Sequence, residues 1–499
     1  MHVFVKGWLL YSWFLKRSVI SDELVRVAKG EVLADEWSRQ VYSVDASHYE
    51  VAPEAIVCPV DEGDVQEICR YAHSKKIPIT GRGAGTGLLG QSLSSGLVMD
   101  FTRHMNKVLE VADNYVVAQP GIVKGVLDKE LKKRNKFLPP DPASSNYCTI
   151  GGMIADNSSG VHCLGFGNTI DFVEALDIIY ADGAAGFASA ARHDGRMSTL
   201  KRLLGPSAGL INNAYPKVSK NSCGYRLDAL LQEGFSPQKV FAASEGTLGL
   251  VTSARLSIMD LPERRSLIVF GFGHILAATA AVQEILGFSP VALELLDHTV
   301  ISHGGSDAAG CLVYAEFAGK GAEGRMDACR RKLAGKATVI EYASDESSLT
   351  RMWAARKGAL NDIMKMTVGS RRPIGLIEDT VVPPAMLAQH TASLLTAYRD
   401  NRLNYVMYGH IGDGNLHTRP LVDTGSRSES EMIERLAESV FSEVIRAGGT
   451  ITGEHGDGIA RTGYIEQMYG SQITAIFRQV KELFDPGYLL NPGKKVPIV

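Results

Sequence analysis

Residues 81–90 read Gly81-Arg82-Gly83-Ala84-Gly85-Thr86-Gly87-Leu88-Leu89-Gly90. The cluster contains a formal G-x-G-x-x-G at Gly85, Gly87 and Gly90, and Glu110 follows about twenty residues later, as in a Rossmann dinucleotide site. However, only six residues separate Gly90 from the next predicted strand at 97–101. A parallel crossover needs about a dozen residues or more and usually a helix. The spacing therefore predicts a glycine loop between two strands instead of a helix-containing crossover.

The loop at 81–90 can either bind an anion or form an ordinary tight turn. Glycines let successive backbone N–H groups converge on a phosphate group without obstruction by Cβ atoms. Just before the loop, predicted strands flank an amphipathic helix over 64–76, whose apolar residues recur with helical spacing. Segments 150–160 and 244–252 are also rich in small residues. Each of them could admit a flat or charged ligand or simply turn the chain.

The composition narrows the class of protein. A chain of 499 residues favours two or more domains. A formal net charge of −3 argues against a nucleic-acid-binding protein, which would usually carry a basic excess. The seven cysteines include no C-x-x-C pair, so a four-cysteine zinc or iron–sulfur site is not expected. Their low density suits free thiols in a reducing, cytoplasmic compartment.

The N-terminal segment 7–15 is apolar and aromatic and has basic residues on both sides. Nine residues cannot span a bilayer, which needs about 20. Since basic residues follow the segment and no small-residue cleavage site appears, it does not resemble a secretory signal. It could attach the protein weakly to a membrane surface, or it could be a poorly ordered extension.

Two glycine-bounded motifs near the C-terminus bring histidines together with carboxylates. Residues 408–417 read YGHIGDGNLH, and residues 452–458 read TGEHGDG. Imidazole and carboxylate groups are suitable ligands for zinc or manganese. The glycines between His410 and His417 allow the chain to fold back, so both imidazoles could meet at one ion, with Glu454 as the third ligand. The alternative is that the motifs are two separate polar loops.

The order of the three glycine-rich segments resembles the FAD-binding domain of the vanillyl-alcohol oxidase type, also called the PCMH type. The resemblance implies an α+β fold in which this domain is followed by an FAD-linked oxidase C-terminal αβ cap domain. It also implies non-covalent FAD, because the histidine that some members use for covalent attachment is absent from 81–90. The residues that the resemblance assigns to the cofactor are Arg82, Gly83, Ala84, Gly85, Thr86, Gly87, Pro140, Thr149, Gly152, Asn157, Gly160, Glu245, Gly249, Val251 and Asn491.

The resemblance also divides the chain. It implies an N-terminal extension and helix at 1–40, an FAD-binding domain at 41–260 with a variable helical insertion at about 184–240, a substrate- and metal-binding domain at 261–484, and a tail at 485–499 that returns to the FAD-binding domain.

The two C-terminal motifs resemble those of the FAD-linked D-lactate, glycolate and D-2-hydroxyglutarate dehydrogenases. The resemblance implies that His410, His417 and Glu454 bind a divalent metal, zinc or manganese, and that His455 is the catalytic base. It also implies that Asn415 contacts the substrate or orients a metal ligand. The segment around Arg356 resembles the part of the family whose arginine binds the substrate carboxylate. Without the resemblance, Arg356 would be interpreted as an exposed arginine on a helix.

The resemblance predicts oxidation of a small D-2-hydroxy acid, with D-lactate as the first choice and D-2-hydroxyglutarate or glycolate next. Larger relatives carry an added iron–sulfur part, and the sequence ends at Val499 without that cysteine spacing. Electrons are therefore expected to pass to an iron–sulfur subunit, a cytochrome, a quinone or an electron-transfer flavoprotein. We expect a homo-oligomer or complex subunit in the cytoplasm, or peripheral at the inner face of the membrane. Two alternatives are a non-catalytic flavin-binding subunit and a transferase resembling alkyl-glycerone-phosphate synthase.

Overall fold

The computed structural model describes residues 22–232, 234–301, 310–363 and 367–498. Helices make up 41% and strands 22% of the structure, which confirms the predicted α+β class. The apolar segment 7–15 lies outside the described residues. None of the described helices has the length and apolar character that a membrane crossing requires. All seven cysteines are described, and each is a buried free thiol.

The glycine loop at 81–90 joins two strands of a four-stranded sheet. The strands of this sheet, in spatial order, are Glu31–Leu33, Ala55–Cys58, Leu97–Asp100 and Ile79–Arg82. The last two run parallel, with Arg82 opposite Asp100. The predicted loop between strands is therefore present. However, the two strands are parallel, and the 14 residues 83–96 make the crossover between them without a helix.

The amphipathic helix predicted before the loop spans Glu62–Lys75. Its buried face, formed by Val65, Ile68, Cys69 and Ala72, packs in the same apolar cluster as the strands of the four-stranded sheet. This packing fixes the sheet edge from which the glycine loop leaves.

A second, five-stranded antiparallel sheet completes the N-terminal half. Its strands, in spatial order, are Val108–Val111, Tyr115–Ala118, Leu250–Ser257, Val173–Ile179 and Ala185–Ser189. Helices Lys124–Lys132 and Ile150–Asp156 belong to this half. The stretch predicted as a helical insertion at about 184–240 begins with the edge strand of this sheet. It then forms helices Gly195–Leu204, Ala208–Ala214 and Leu227–Leu231.

The C-terminal half is built on an eight-stranded antiparallel sheet. Seven strands follow the spatial order Thr338–Ala343, Arg265–Phe272, Cys311–Ala318, Ala292–Asp297, Tyr405–Gly409, Asn415–Val422 and Arg372–Pro373, and Thr380–Val381 also pairs with Asn415–Val422. The longer helices of this half are Ile275–Leu286, Ala322–Lys332, Glu346–Ile363, Leu387–Asp400, Arg427–Arg446 and Ile465–Phe484.

Strands 405–409 and 415–422 form a hairpin, and Tyr408 lies opposite His417 across it. The hairpin turn, residues 410–414, is where the first histidine motif folds back. Gly414 has a positive φ of 73°, and a Cβ atom there would lie 1.8 Å from the carbonyl oxygen of Val382. Only glycine therefore fits this position of the turn.

The chain returns to the N-terminal half after the helix that ends at Phe484. The backbone N–H of Ile79 donates to the Leu489 carbonyl at 2.8 Å, and the N–H of Asn491 donates to the Ile79 carbonyl at 2.8 Å. The Asn491 side-chain amide donates to the carbonyls of Gln91 at 2.9 Å and Glu245 at 2.7 Å. Asn491 thus ties the first and third glycine-rich segments together.

Candidate active site

A cavity of about 410 Å³ lies where the glycine-rich segments face the two histidine motifs. Its wall includes, from the predicted cofactor residues, Arg82, Gly83, Ala84, Gly85, Thr86, Gly87, Thr149, Gly152, Glu245, Gly249 and Val251. The predicted metal and catalytic residues on the same wall are His410, His417, Glu454, His455 and Arg356. The volume is within the roughly 300–1,000 Å³ typical of small-molecule and cofactor sites.

The remaining predicted residues lie behind the cavity wall. Pro140 is buried beside Asp141. The side-chain oxygen of Asn157 accepts from the N–H of Ile170 at 2.9 Å, and the Gly160 carbonyl accepts from Lys220 Nζ at 3.1 Å. For Asn157, Gly160 and Asn491, the contacts are those of supports for the loops and not of groups that meet a ligand directly.

Asn415 also lies behind the wall, fully buried. Its amide nitrogen donates to Asp379 Oδ1 and to the Thr380 carbonyl, both at 3.2 Å. These two hydrogen bonds support the predicted role of orienting neighbouring groups. Among the described residues the Asn415 Oδ1 atom has no hydrogen-bond partner, so contact with a substrate stays a prediction as well.

The first glycine-rich segment comes very close to the start of the second at Gly83. A Cβ atom on Gly83 would lie 2.1 Å from the Thr149 hydroxyl oxygen. That hydroxyl caps helix Ile150–Asp156 by accepting from the N–H of Gly152 at 3.3 Å. The first glycine-rich segment therefore contacts the start of the second, and residues of both segments line the cavity.

Three predicted ligand atoms converge at Glu454. Its Oε1 lies 2.9 Å from His410 Nε2 and 3.3 Å from His417 Nε2. Ligand atoms about 2.0–2.2 Å from one ion, at tetrahedral or octahedral angles, stand about 2.9–3.4 Å apart. The separations therefore fit neighbouring positions around a single metal ion, and the two motifs are not separate polar loops.

A second grouping of possible ligands overlaps this one. Asp379, His417, Glu454 and His455 also offer atoms within 4.8 Å of one another. However, Asp379 Oδ2 accepts hydrogen bonds from the backbone N–H groups of Glu454 and His455 at 3.0 and 2.9 Å. Since this carboxylate is already engaged as a support, we favour His410 as the third ligand.

Each histidine of the site has a buried carboxylate at Nδ1. Glu294 lies 2.6 Å from Nδ1 of His410, and Glu378 lies 2.6 Å from Nδ1 of His455. Glu378 also lies 3.3 Å from Nδ1 of His417, but without hydrogen-bond geometry, so this nitrogen has no hydrogen-bond partner among the described residues. A carboxylate at Nδ1 fixes the ring and leaves Nε2 as the coordinating or proton-accepting nitrogen. This is the arrangement expected of metal-ligating histidines.

The ionisable side chains of the site shift one another's pKa values. Burial alone would raise the pKa of Glu378, but His455 and Arg419 outweigh it and hold that pKa well below its usual range. Burial lowers the pKa of His417, yet Glu378 and Glu454 reverse this effect and raise it to about 10. The positive charge of a protonated His417 offsets the surrounding carboxylates, and a bound divalent cation would offset them in the same way.

Arg356 lies on helix Glu346–Ile363 and is almost fully buried. Its Nη2 contacts Glu294 Oε2, and among the described residues its Nε has no hydrogen-bond partner. A buried guanidinium nitrogen without a partner costs free energy unless a ligand satisfies it. Arg356 is therefore buried at the cavity wall instead of exposed on a helix.

The helix that carries Arg356 is fixed by a network that crosses between the two halves. Trp353 Nε1 donates to Glu316 Oε2 at 2.6 Å, and Arg265 Nε donates to Glu316 Oε1 at 2.8 Å. From the other half, His162 Nε2 lies 3.4 Å from Glu316 Oε1, and its Nδ1 lies 2.7 Å from Asp141. Burial lowers the pKa of His162, but Asp141 and Glu316 outweigh it and raise the pKa to about 10.

Sequence reasoning missed several residues of the site. Glu294 had a detectable signal, because it is an acid within the apolar run Val291-Ala292-Leu293-Glu294-Leu295-Leu296. Arg419 and Tyr408 also line the cavity. Tyr408 opens the first histidine motif, and Arg419 lies two residues after its end. Lys220 had no such signal, since it lies in an irregular stretch rich in small polar residues, yet its Nζ reaches Glu454 Oε2 at 2.9 Å.

Comparison with known proteins divides the chain into two parts that correspond to the two halves of the structure. Residues 53–185 match the family described as FAD binding domain, and residues 261–495 match FAD linked oxidases, C-terminal domain. The chain is 30% identical to D-2-hydroxyglutarate dehydrogenase of Pseudomonas putida, covering 93% of this chain but 50% of that protein. It is 29% identical to glycolate oxidase subunit GlcD of Bacillus subtilis, covering 95% and 96%, and 28% identical to D-lactate dehydrogenase of Archaeoglobus fulgidus, covering 91% and 95%.

Solved structures support the fold. The structure of alkyldihydroxyacetonephosphate synthase matches with a TM-score of 0.66 and 18% identity, covering 95% of this chain and 86% of that one. At this identity the likeness shows the fold alone. The predicted two-part architecture is confirmed, and the chain belongs to the FAD linked oxidases, with an FAD binding domain followed by the C-terminal domain of that family.

Proposed function

We propose that the protein oxidises a small D-2-hydroxy acid to the 2-oxo acid with FAD and a divalent metal, and passes the electrons to an acceptor other than NAD. D-lactate is the first-choice substrate, followed by D-2-hydroxyglutarate and glycolate. One observation carries the proposal. The Nε2 atoms of His410 and His417 lie within 3.3 Å of one carboxylate oxygen of Glu454, on the wall of the cavity that the predicted FAD segments also line.

The residues present fit FAD. A Cβ atom at Gly83 would meet the Thr149 hydroxyl oxygen, so only glycine lets these two parts of the cavity wall stand this close together. Residues 82–87 would hold the pyrophosphate through backbone N–H groups, as glycine-rich nests do. FAD supplies the hydride acceptor when it is bound.

The residues present also fit a metal. His410, His417 and Glu454 would hold it, and the Glu294 carboxylate at Nδ1 of His410 provides the usual support, with Glu378 3.3 Å from Nδ1 of His417. A zinc or manganese ion supplies Lewis acidity, which lowers the pKa of a hydroxyl bound to it.

His455 is the proposed base. Its Nδ1 faces Glu378 at 2.6 Å, so Nε2 carries the free lone pair, and this nitrogen lies 4.0 Å from Glu454 Oε1. A substrate hydroxyl held beside Glu454 would therefore have a proton acceptor within reach. Arg356 would bind the substrate carboxylate through its planar guanidinium and so orient C2.

The test combines spectroscopy with substitution. The purified protein should show a flavin spectrum that D-lactate or a related acid bleaches anaerobically. His455→Gln should keep FAD and reduce turnover by about 10²–10⁴-fold, the usual contribution of a general base. His298→Gln, on the exposed His298, is the matched control. Chelation should abolish activity, and zinc or manganese should restore it.

Near-normal turnover of His455→Gln would refute the base assignment. A flavin that no 2-hydroxy acid reduces would instead support the non-catalytic subunit or the transferase.

A further inference from the structure

Glu454 is held from both halves of the molecule, one carboxylate oxygen by each. Its Oε1 faces His410 and His417 of the C-terminal half. Its Oε2 accepts from Lys220 Nζ at 2.9 Å and from the Ser159 hydroxyl at 2.5 Å, and both of these residues belong to the N-terminal half. Because Oε2 is saturated in this way, only Oε1 is available to an ion.

Lys220 is fully buried, so its ammonium group has little freedom to move. Its Nζ donates to Glu454 and to the Gly160 carbonyl. A buried charge is stable only when it is paired and hydrogen-bonded, and removing one partner is strongly destabilising for the other. The position of Lys220 is therefore fixed, and it fixes the Glu454 carboxylate in turn.

The residues beside Lys220 hold the same two motifs. The Ser219 hydroxyl donates to Asp413 Oδ1 at 2.6 Å, in the turn between the two ligand histidines. The Ser222 hydroxyl donates to the carbonyl of Gly453 at 3.0 Å, and its N–H donates to the carbonyl of Thr452 at 3.1 Å. Residues 219–222, which we call the clasp, thus bind both metal motifs at once.

We propose that the clasp positions the metal ligands, and that Lys220 is the positioning residue that presents Glu454 to the ion through a single oxygen. This inference rests on the proposed metal-dependent function. It makes high-affinity metal binding a property of both halves together, although all three ligands come from the C-terminal half.

The test measures metal affinity and not only turnover. The FAD-loaded full chain is freed of metal with a chelator, and Zn²⁺ and Mn²⁺ are titrated in competition with a chromophoric chelator. Lys220→Met should weaken binding by about 10–100-fold, the range for loss of a group that supports a metal ligand. Its flavin spectrum should match that of the control, Lys124→Met, whereas its thermal midpoint should fall because the buried Glu454 carboxylate loses its charged partner. Lys124 is also buried and pairs with Asp128 outside the site.

Ser159→Ala provides an independent variant if Lys220→Met fails to fold, and it should weaken binding in the same direction. Affinity within twofold of wild type in the folded variants would overturn the inference alone. A wild-type protein that takes up neither metal would overturn the proposed function and the inference together.

Discussion

Asp379 holds the loop that carries both Glu454 and His455, and its replacement by asparagine is the sharpest test of how the site is built. One oxygen, Oδ2, accepts from the N–H groups of Gly453, Glu454 and His455 and from the Thr452 hydroxyl, all within 2.9–3.0 Å. Asp379→Asn keeps the size of the side chain and removes its charge.

The magnitude follows from these contacts. A hydrogen bond to a charged acceptor contributes about 1.5–3 kcal/mol and one to a neutral acceptor about 0.5–1.5 kcal/mol. Four weakened bonds, which do not add fully, give a loss of roughly 2–4 kcal/mol in the local stability of the loop. The new amide nitrogen would also face the Asn415 amide nitrogen, which now donates to Oδ1 at 3.2 Å, so two donors would oppose each other.

Hydrogen exchange followed by mass spectrometry measures this loss directly. Since 1.4 kcal/mol corresponds to tenfold, the amides of residues 453–455 should exchange roughly 30- to 700-fold faster in Asp379→Asn. Metal affinity should fall in parallel, because Glu454 is no longer held in place. Asp35→Asn, at an exposed helix N-cap, is the control and should leave these amides unchanged. Unchanged exchange at 453–455 in Asp379→Asn would refute the reasoning.

Three further predictions concern other parts of the site. The raised pKa of His162 stabilises the fold fully below about pH 6.5, and this contribution is lost as the pH rises through about 10. Wild type should therefore exceed His162→Gln in unfolding free energy at pH 7, with the difference shrinking by pH 10. Trp353→Phe should raise KM several-fold with kcat little changed, because the helix holding Arg356 loosens. Gly83→Ala should abolish FAD binding, since its Cβ atom would meet the Thr149 hydroxyl oxygen at 2.1 Å.

Each of these predictions has its own contradicting outcome. A difference in unfolding free energy that grows with pH would contradict the role of His162. A fall in kcat at constant KM would contradict that of Trp353. For Gly83→Ala, a normal flavin spectrum with unchanged FAD affinity would show that the contact with Thr149 is relieved by movement of the chain.

The sequence predicted the site best where possible metal ligands lie next to glycines that turn the chain. Glycines on both sides of His410 and before His455 indicated loops that aim side chains, and the ligand atoms do converge at Glu454. These signals are local, because a histidine with glycines near it can be recognised from the neighbouring residues alone. The amphipathic helix before the glycine loop was predictable for the same reason.

Contacts between distant segments could not be predicted. Lys220 is 234 residues from Glu454, and nothing in its surrounding sequence distinguishes it from an exposed lysine. The parallel pairing of strands 79–82 and 97–100 could not be predicted from the sequence either. The crossover leaves the first strand at Gly83, so the glycine cluster forms part of the connection instead of preceding it.

The hydrogen bonds that Asn491 makes affect when the chain can finish folding during its synthesis. During translation, residues 81–90 and 244–249 leave the ribosome long before residue 491, so neither segment has its final support while the chain grows. Co-translational folding can therefore complete the sheets of the N-terminal half, but the last hydrogen bonds between the first and third glycine-rich segments must form afterwards. Uptake of flavin is thus expected to be a late event in biogenesis.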